Sequence, residues 1–202
     1  MDASNWGRYA NNMKTLLIHK NVAVQPGDSL HFTTFIPSVD NFPHKSRCLL
    51  MIDTLTIGLM DATNVNDASA NNFAANNPEM FSLPTIGVSV EGLGVMNSYD
   101  NINNQNSLIG CCPVSTVKVL SSSISKAMSF VYQNNGSILS SGVLCHSPFG
   151  KSFTIRFHDF TIAQSPNESN LIKNLNTDTV NNYLITMNLK LLYLDDEDMK
   201  QV

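Results

Sequence analysis

Charged residues are scarce in this 202-residue chain, and few of them are basic. Only 14% of the residues are Asp, Glu, Lys or Arg, compared with about a quarter in an ordinary globular protein. Twelve basic residues against sixteen acidic ones give a formal net charge of −4. Proteins that bind nucleic acid through bulk charge carry a basic surface instead. The composition therefore predicts no direct nucleic-acid partner.

Long hydrophobic runs are also missing from the sequence. No apolar run approaches the ~20 residues that a membrane-spanning helix needs, so we expect no transmembrane segment. Residues 1–14, MDASNWGRYANNMK, contain no continuous apolar stretch and predict no signal peptide. We therefore expect synthesis in the cytoplasm.

The cysteines form no metal-binding pattern. Cys48, Cys111, Cys112 and Cys145 include no C-x-x-C pair, and no second cluster of Cys or His completes a zinc site. Cys111 and Cys112 are adjacent, so a bond between them would be strained. We expect buried, reduced thiols, no bound metal and no other cofactor.

Catalytic motifs are absent as well. No two of the five His residues stand two positions apart, the spacing of a ligand pair on one strand. Cys145 precedes His146 and His158 precedes Asp159, but neighbours on a strand point to opposite faces. No G-x-S-x-G nucleophile elbow is present. We therefore do not expect the protein to be an enzyme. One alternative is left open: a metal site of His and carboxylate side chains that the fold brings together, as in a cupin.

What the sequence does contain is uncharged polar residues, above all 25 Asn, and a hydrophobic pattern with a period of two. Phe153, Ile155 and Phe157 alternate with polar residues, as a half-buried strand requires. The same alternation continues over Tyr183–Leu194. Cys48–Ile57 is apolar on both faces, which is typical of a central strand in a covered sheet.

Turn-forming residues separate the predicted strands. We predict strands over 15–24, 30–36, 48–57, 86–90, 108–119, 127–133, 138–146, 152–160 and 183–194. Pro113 predicts a bulge or a crossing between sheets, and Asn134-Asn135-Gly136 predicts a hairpin. Residues 67–81 have the best local helix propensity. The pattern predicts an all-β fold: a single antiparallel β-sandwich of jelly-roll type, with about eight strands, long loops and little helix.

We divide the chain into three parts. Residues 1–13 form an N-terminal arm, residues 14–194 the jelly-roll domain, and residues 195–202 an acidic C-terminal tail. Without that tail the chain has 11 basic and 12 acidic residues, and a nearly neutral body is prone to associate. Three aromatic residues of the arm and of a long loop are candidate interface anchors: Trp6, Tyr9 and Phe73.

The second half of the sequence resembles a known group of proteins. Ser147-Pro148-Phe149-Gly150 predicts a turn, Phe153–Phe157 an alternating strand and Tyr183–Leu191 a final apolar strand. Together with Asn104–Val117, these segments resemble single jelly-roll capsid proteins of large double-stranded DNA viruses of algae and protists. The resemblance covers roughly half of the chain, mainly residues 104–194.

This resemblance implies a viral structural protein, either a penton at a five-fold vertex or a minor capsid component of an icosahedral shell. Its partners would be copies of itself, as a homopentamer, and other capsid proteins, and its location would be the virion. One alternative is a lectin-like or receptor-binding head on the same sandwich. Another is a small RNA-virus coat protein, but such proteins commonly carry a basic arm, and this N-terminal region has only Arg8 and Lys14.

Overall fold

The computed structural model describes residues 13–25, 28–38, 47–59, 85–95, 108–120, 126–159 and 181–193. Ten strands lie in these ranges: β1 (Met13–Val24), β2 (His31–Ile36), β3 (Arg47–Leu59), β4 (Thr85–Glu91), β5 (Leu108–Pro113), β6 (Ser115–Leu120), β7 (Lys126–Gln133), β8 (Val143–His146), β9 (Lys151–Asp159) and β10 (Asn181–Leu192). One short helix, α1, spans Ile138–Ser141.

The strands form two antiparallel sheets in jelly-roll order. Sheet A has the order β1-β10-β3-β7-β6, with β8 also paired to β3, and sheet B has the order β2-β9-β4-β5. Early strands pair with late ones: β1 with β10, β2 with β9, and β3 with both β7 and β8. A long hairpin wound over itself produces this order, so the predicted jelly-roll sandwich is confirmed.

The alternating strands fill the space between the sheets. Phe153, Ile155 and Phe157 of β9 are buried, as sequence periodicity predicts. On β10 the buried residues of the same phase are Tyr183, Ile185, Met187, Leu189 and Leu191, and Tyr193, just after the strand, continues the phase. All of these side chains belong to one apolar cluster that also includes inward-facing residues of β3 and β4. The interior of the sandwich is therefore a packed core.

A bulge in β3 changes which residues face outward. Asn188 of β10 pairs with Thr54, but the next residue, Leu189, pairs with Ile52, so Asp53 has no partner on β10. Ahead of the bulge, Leu49 and Met51 face outward and form part of a second apolar cluster. Beyond the bulge, the alternation changes phase, and threonines of β3 take the outward positions instead.

The Asn-Asn-Gly segment does not form the predicted hairpin. β7 pairs with residues 54–59 of β3, and β8 pairs with residues 47–50 of the same strand, so β7 and β8 do not pair with each other. Asn134 holds the intervening chain against β3: its side chain donates to the Ile52 carbonyl oxygen at 3.3 Å. The same side chain accepts from the Gly136 N–H at 2.6 Å, which forms a local turn. The hairpin prediction is therefore wrong.

Helix α1 lies where the sequence predicts a strand over 138–146, so only the last part of that strand, β8, is confirmed. The Ser137 hydroxyl caps the helix by accepting from the Leu139 N–H at 3.3 Å. Ile138 is buried against the outward side chains Leu49, Met51 and Leu192. Burial of this apolar patch explains the difference, because a continued strand would leave it in water.

Two of the short connections between the sheets carry sequence signals. β5 ends at Pro113 in sheet B and β6 starts at Ser115 in sheet A, which confirms a sheet crossing at the proline. The predicted turn at Ser147–Gly150 joins β8 of sheet A to β9 of sheet B. In this turn the Lys151 N–H donates to the Pro148 oxygen at 3.2 Å. Gly150 has φ +70, where a side chain would be strained and its Cβ would meet the Ser38 hydroxyl.

Several sequence predictions fall on other parts of the chain. The candidate helix over 67–81 and the acidic tail, 195–202, lie outside the residues that the structure describes, as does nearly all of the arm. β1 begins at Met13, the last residue of the segment assigned to the arm. Within the described ranges, no helix has the length and apolar character needed to span a membrane.

Candidate functional site

The interface residues predicted from the sequence are not among those that the structure describes. Trp6, Tyr9 and Phe73 all fall outside the described ranges, so their role stays a prediction. Two other large apolar side chains are exposed instead: Leu17 at 68% and Phe35 at 59%. The sequence contains a signal for Leu17, because it is out of phase with the inward-facing Leu16 and Ile18 of the same strand.

Leu17 and Phe35 lie on edge strands at the same side of the sandwich. β1 is an edge of sheet A and β2 is an edge of sheet B. The short connection 25–30 joins the two strands, and Val24 and Leu30 at its ends are buried in the same core cluster. We call this side the β1/β2 flank. The outer edge of β1 pairs with no other described strand, and an edge of this kind can pair with another chain.

Beyond the bulge, the outer face of sheet A carries hydrogen-bonded polar side chains. We call this area the open end; it consists of His19, Thr54, Thr56, Thr186 and Asn188. His19 Nδ1 lies 2.9 Å from Thr186 Oγ1, and the Asn188 amide donates to Thr54 Oγ1 at 2.9 Å. These bonds join three neighbouring strands and fix the side chains. The open end is therefore an ordered, weakly charged surface, a composition that suits the centre of a protein interface.

The other part of this face is apolar and covered. We call it the covered end; it consists of Leu49, Met51, Leu144 and Leu192, with Ile138 and Leu139 of α1 packed against them. An ion pair marks the boundary with the open end: Lys190 Nζ lies 2.6 Å from Asp53 Oδ1. The bulge thus places a carboxylate on the face where the surface changes from apolar to polar.

On sheet B, a serine and a histidine are as close together as in a catalytic dyad, but the serine is not accessible to a substrate. Ser89 Oγ and His158 Nε2 are 2.8 Å apart. Burial and the nearby Arg156 lower the pKa of His158, against an opposing effect of Glu91. Ser89, however, is only 3% exposed, so its oxygen cannot reach a substrate carbonyl. We interpret the bond as a structural link between β4 and β9.

Arg156 adds a second link on the same face. Its Nε donates to Glu91 Oε1 at 3.2 Å, and its Nη1 donates to Ser29 Oγ at 2.9 Å. These bonds tie β9 to the end of β4 and to the residues just before β2. The cluster holds sheet B together beside its edge strand, and the guanidinium is occupied by these partners.

A cavity of about 330 Å³ lies where β5 of sheet B passes the β3–β7 part of sheet A. Ile52 and Ile109 contribute apolar walls, and Tyr132, Asn134 and Cys111 contribute polar groups. Burial, with smaller effects of Cys112 and Asp53, raises the pKa of Tyr132. The polar side chains that line the cavity are thus a phenol, an amide, the Ser141 hydroxyl and the two thiols Cys111 and Cys112. They could orient a small neutral molecule but offer no acid–base pair.

The histidines do not assemble a metal site in the part of the chain that the structure describes. His19, His31 and His146 are exposed, and His158 is half-buried on the outer face of sheet B. No group of three or more His, Cys, Asp or Glu in the described residues is placed to hold an ion. A cupin would need its ligands inside the sandwich, where the described side chains form an apolar core.

Comparison with known proteins identifies no relative: no family model, curated protein or solved structure matches this chain.

Proposed function

We propose that this protein is a structural subunit of an icosahedral virus capsid, a penton or a minor capsid component, and not an enzyme. The observation that carries the proposal is the strand order, β1-β10-β3-β7 in one sheet and β2-β9-β4-β5 in the other. Eight-stranded jelly rolls of this kind occur in viral capsid proteins, lectins and cupins. A packed apolar interior favours the classes that act through their outer surface over the cupins.

The surface supports a role in assembly. On the β1/β2 flank, the outer edge of β1 pairs with no other described strand, and two large apolar side chains, Leu17 and Phe35, are exposed. The opposite side of the sandwich also ends in edge strands, β6 of sheet A and β5 of sheet B. We place the contact between the β1/β2 flank of one subunit and the β5/β6 side of the next. Such a contact joins two different surfaces and is therefore heterologous, and its repetition around a symmetry axis closes a ring. The proposed ring is the homopentamer of a five-fold vertex.

Solution mass tests the proposal. Light scattering of the purified full chain over a range of concentrations should give a closed pentamer. Leu17→Asp should weaken this pentamer at least about tenfold, because it places a charge on the buried centre of the contact. Ser140→Asp adds the same charge at an exposed position on α1, which covers the central strands β3 and β10, and should leave the mass unchanged.

Other masses would point elsewhere. A trimer that gives a signal on a glycan array would favour the alternative, a lectin-like or receptor-binding head. A monomer at every concentration would contradict the pentamer. The minor-capsid role would then depend on whether the chain copurifies with assembled shells when it is co-expressed with the other capsid proteins.

A further inference from the structure

We propose that Cys48 and Cys145 form a disulfide, a bond between β3 and β8 that a small-molecule disulfide such as oxidised glutathione installs when β8 opens. The two cysteines are direct partners in the β3–β8 ladder although 97 positions separate them. Their sulfur atoms are 3.8 Å apart, and both are free thiols.

The backbone geometry already suits the bond. Directly opposed residues in antiparallel strands have Cα atoms roughly 4.5–5.5 Å apart, within the range of about 4.4–6.8 Å that disulfides need. Side-chain rotation alone therefore has to bring the sulfurs from 3.8 Å to about 2.05 Å. Cys111 and Cys112 are adjacent in the chain and lack this arrangement, which makes them internal controls.

Burial controls when the bond forms. Cys48 is 0% exposed and Cys145 is 1% exposed, so no reagent reaches either sulfur in the closed fold. The hydrogen bond with Cys145, together with burial, raises the pKa of the Cys48 thiol. Because thiol–disulfide exchange proceeds through a thiolate, the closed state resists both oxidation and reduction. The bond therefore forms or breaks only when the sulfurs reach water.

β8 is the element that can expose them. It has four residues and, among the described strands, pairs only with β3. The segment 134–142, which precedes β8 in the chain, belongs to no strand, and the Ser147–Gly150 turn follows directly after β8. Short, marginal strands open without global unfolding. Besides the ladder with β3, this region is held closed by the hydrogen bonds from Ser147 Oγ to Tyr193 OH at 2.8 Å and from the His146 N–H to the Leu93 oxygen at 2.8 Å.

The exchange balances with one molecule of oxidised glutathione. In the open state the Cys145 thiolate attacks one glutathione sulfur, which forms a mixed disulfide and releases a glutathione thiolate. The Cys48 thiolate then attacks the Cys145 sulfur and releases the second glutathione thiolate. The protein loses two electrons, and its two thiol protons pass to the two glutathione molecules. A chain made in a reducing compartment thus gains its cross-link on reaching an oxidising one.

The test uses the full chain, incubated with oxidised glutathione well below its melting temperature. Mass spectrometry after alkylation in denaturant should show a loss of two hydrogen atoms, two alkylated cysteines instead of four, and a peptide that joins Cys48 to Cys145. Cys111→Ser should behave in the same way. Cys145→Ser should give at most a glutathione adduct. A disulfide that joins Cys48 or Cys145 to Cys111 or Cys112, or four free thiols after treatment, would overturn the proposal, whereas a glutathione adduct on the exposed Cys111 alone would not support it.

A second measurement needs no variant. The bond joins residues far apart in sequence and so restricts the unfolded chain, which raises stability. The oxidised wild-type protein should melt at least about 5 °C above the reduced one. Reductant should remove this shift at least about tenfold faster in denaturant than in native buffer, because the bond is buried. Equal reduction rates in the two conditions would mean that reductant reaches the bond in the closed fold, which would contradict the proposed control by burial.

Discussion

The two ends of the outer face of sheet A use the same strands for opposite purposes. At the covered end, Leu49, Met51 and Leu192 are no more than 3% exposed because α1 lies over them. At the open end, Thr54 and Asn188 are half-buried and hydrogen-bonded to each other. The chain supplies its own cover over the apolar part of the face; in the part that no described element covers, polar side chains predominate, and Leu17 and Leu184 are the apolar exceptions. A sheet face can thus be divided along its strands into a structural part and a part available to partners.

The two ends also differ on the inward side of the sheet, where each has a buried tyrosine. Tyr193, beside the covered end, exchanges a 2.8 Å hydrogen bond with Ser147, and burial raises its pKa to about 12. Tyr183, at the other end of the strand, is 0% exposed, yet its hydroxyl has no hydrogen-bond partner in the described residues. Burial raises the pKa of Tyr183 as well. On the inward side of the sheet, the tyrosine hydroxyl beside the covered end is therefore hydrogen-bonded, and the one at the other end lacks a partner among the described residues.

The largest expected effect comes from removing the cover. Ile138→Ala should lower the free energy of unfolding by about 3 kcal/mol, because it leaves a cavity above Leu49, Met51 and Leu192. Leu184→Ala, at a half-buried outward position beyond the bulge, should cost about 1 kcal/mol or less. Urea denaturation of both variants measures the difference. Equal losses would mean that the two ends are packed alike.

Two glycines test the same contrast through the backbone. A Cβ on Gly142 would clash with the Ile138 carbonyl oxygen and lie 3.1 Å from Leu49 Cβ, whereas one on Gly58 would find only ordinary contacts, the nearest at 3.6 Å. Gly142→Ala should therefore destabilise the protein by about 2 kcal/mol as α1 shifts away from the sheet. Gly58→Ala should change stability by no more than about 0.5 kcal/mol. Thermal unfolding distinguishes them, and a neutral Gly142→Ala would show that α1 adapts freely.

The paired tyrosines should respond with opposite signs. Tyr193→Phe breaks the bond to Ser147 and should cost about 1 kcal/mol, while Tyr183→Phe removes a buried hydroxyl without a described partner and should gain up to about 1 kcal/mol. Chemical denaturation of the two variants measures both changes. If Tyr183→Phe lowered stability instead, the Tyr183 hydroxyl would have to bond to a group outside the described residues or to water.

Sequence periodicity predicted the strands because each has one face in the core. The alternation of Phe153, Ile155 and Phe157 requires nothing beyond a strand and a buried side. The doubly apolar Cys48–Ile57 segment also predicted a cover on the second face. It could not identify that cover, because Ile138 and Leu139 are compatible with a strand and become helical only where β3 presents Leu49 and Met51 to them.

The sites depended on register, which periodicity does not supply. The contact between Cys48 and Cys145 requires β3 and β8 to align across 97 positions. The dipeptide Cys145-His146 drew attention in the sequence, yet only Cys145 points inward, as strand geometry predicted. The boundary between covered and open ends depends on one extra residue, Asp53, which changes the phase of the alternation along β3.

The smallest expected effect lies at that boundary. Asp53→Asn removes the ion pair with Lys190. The Lys190 side chain is 34% exposed and the Asp53 side chain is 22% exposed. Solvent screens a pair of this exposure, so the loss should be about 0.5 kcal/mol in low salt and smaller still in 1 M salt. A matched Glu91→Gln, which removes the more exposed pair with Arg156, should cost less. A loss from Asp53→Asn well above 1 kcal/mol that salt does not change would have a different meaning. It would mean that the Asp53 side chain maintains the bulge, and that the apolar residues under α1 become exposed when this side chain is replaced.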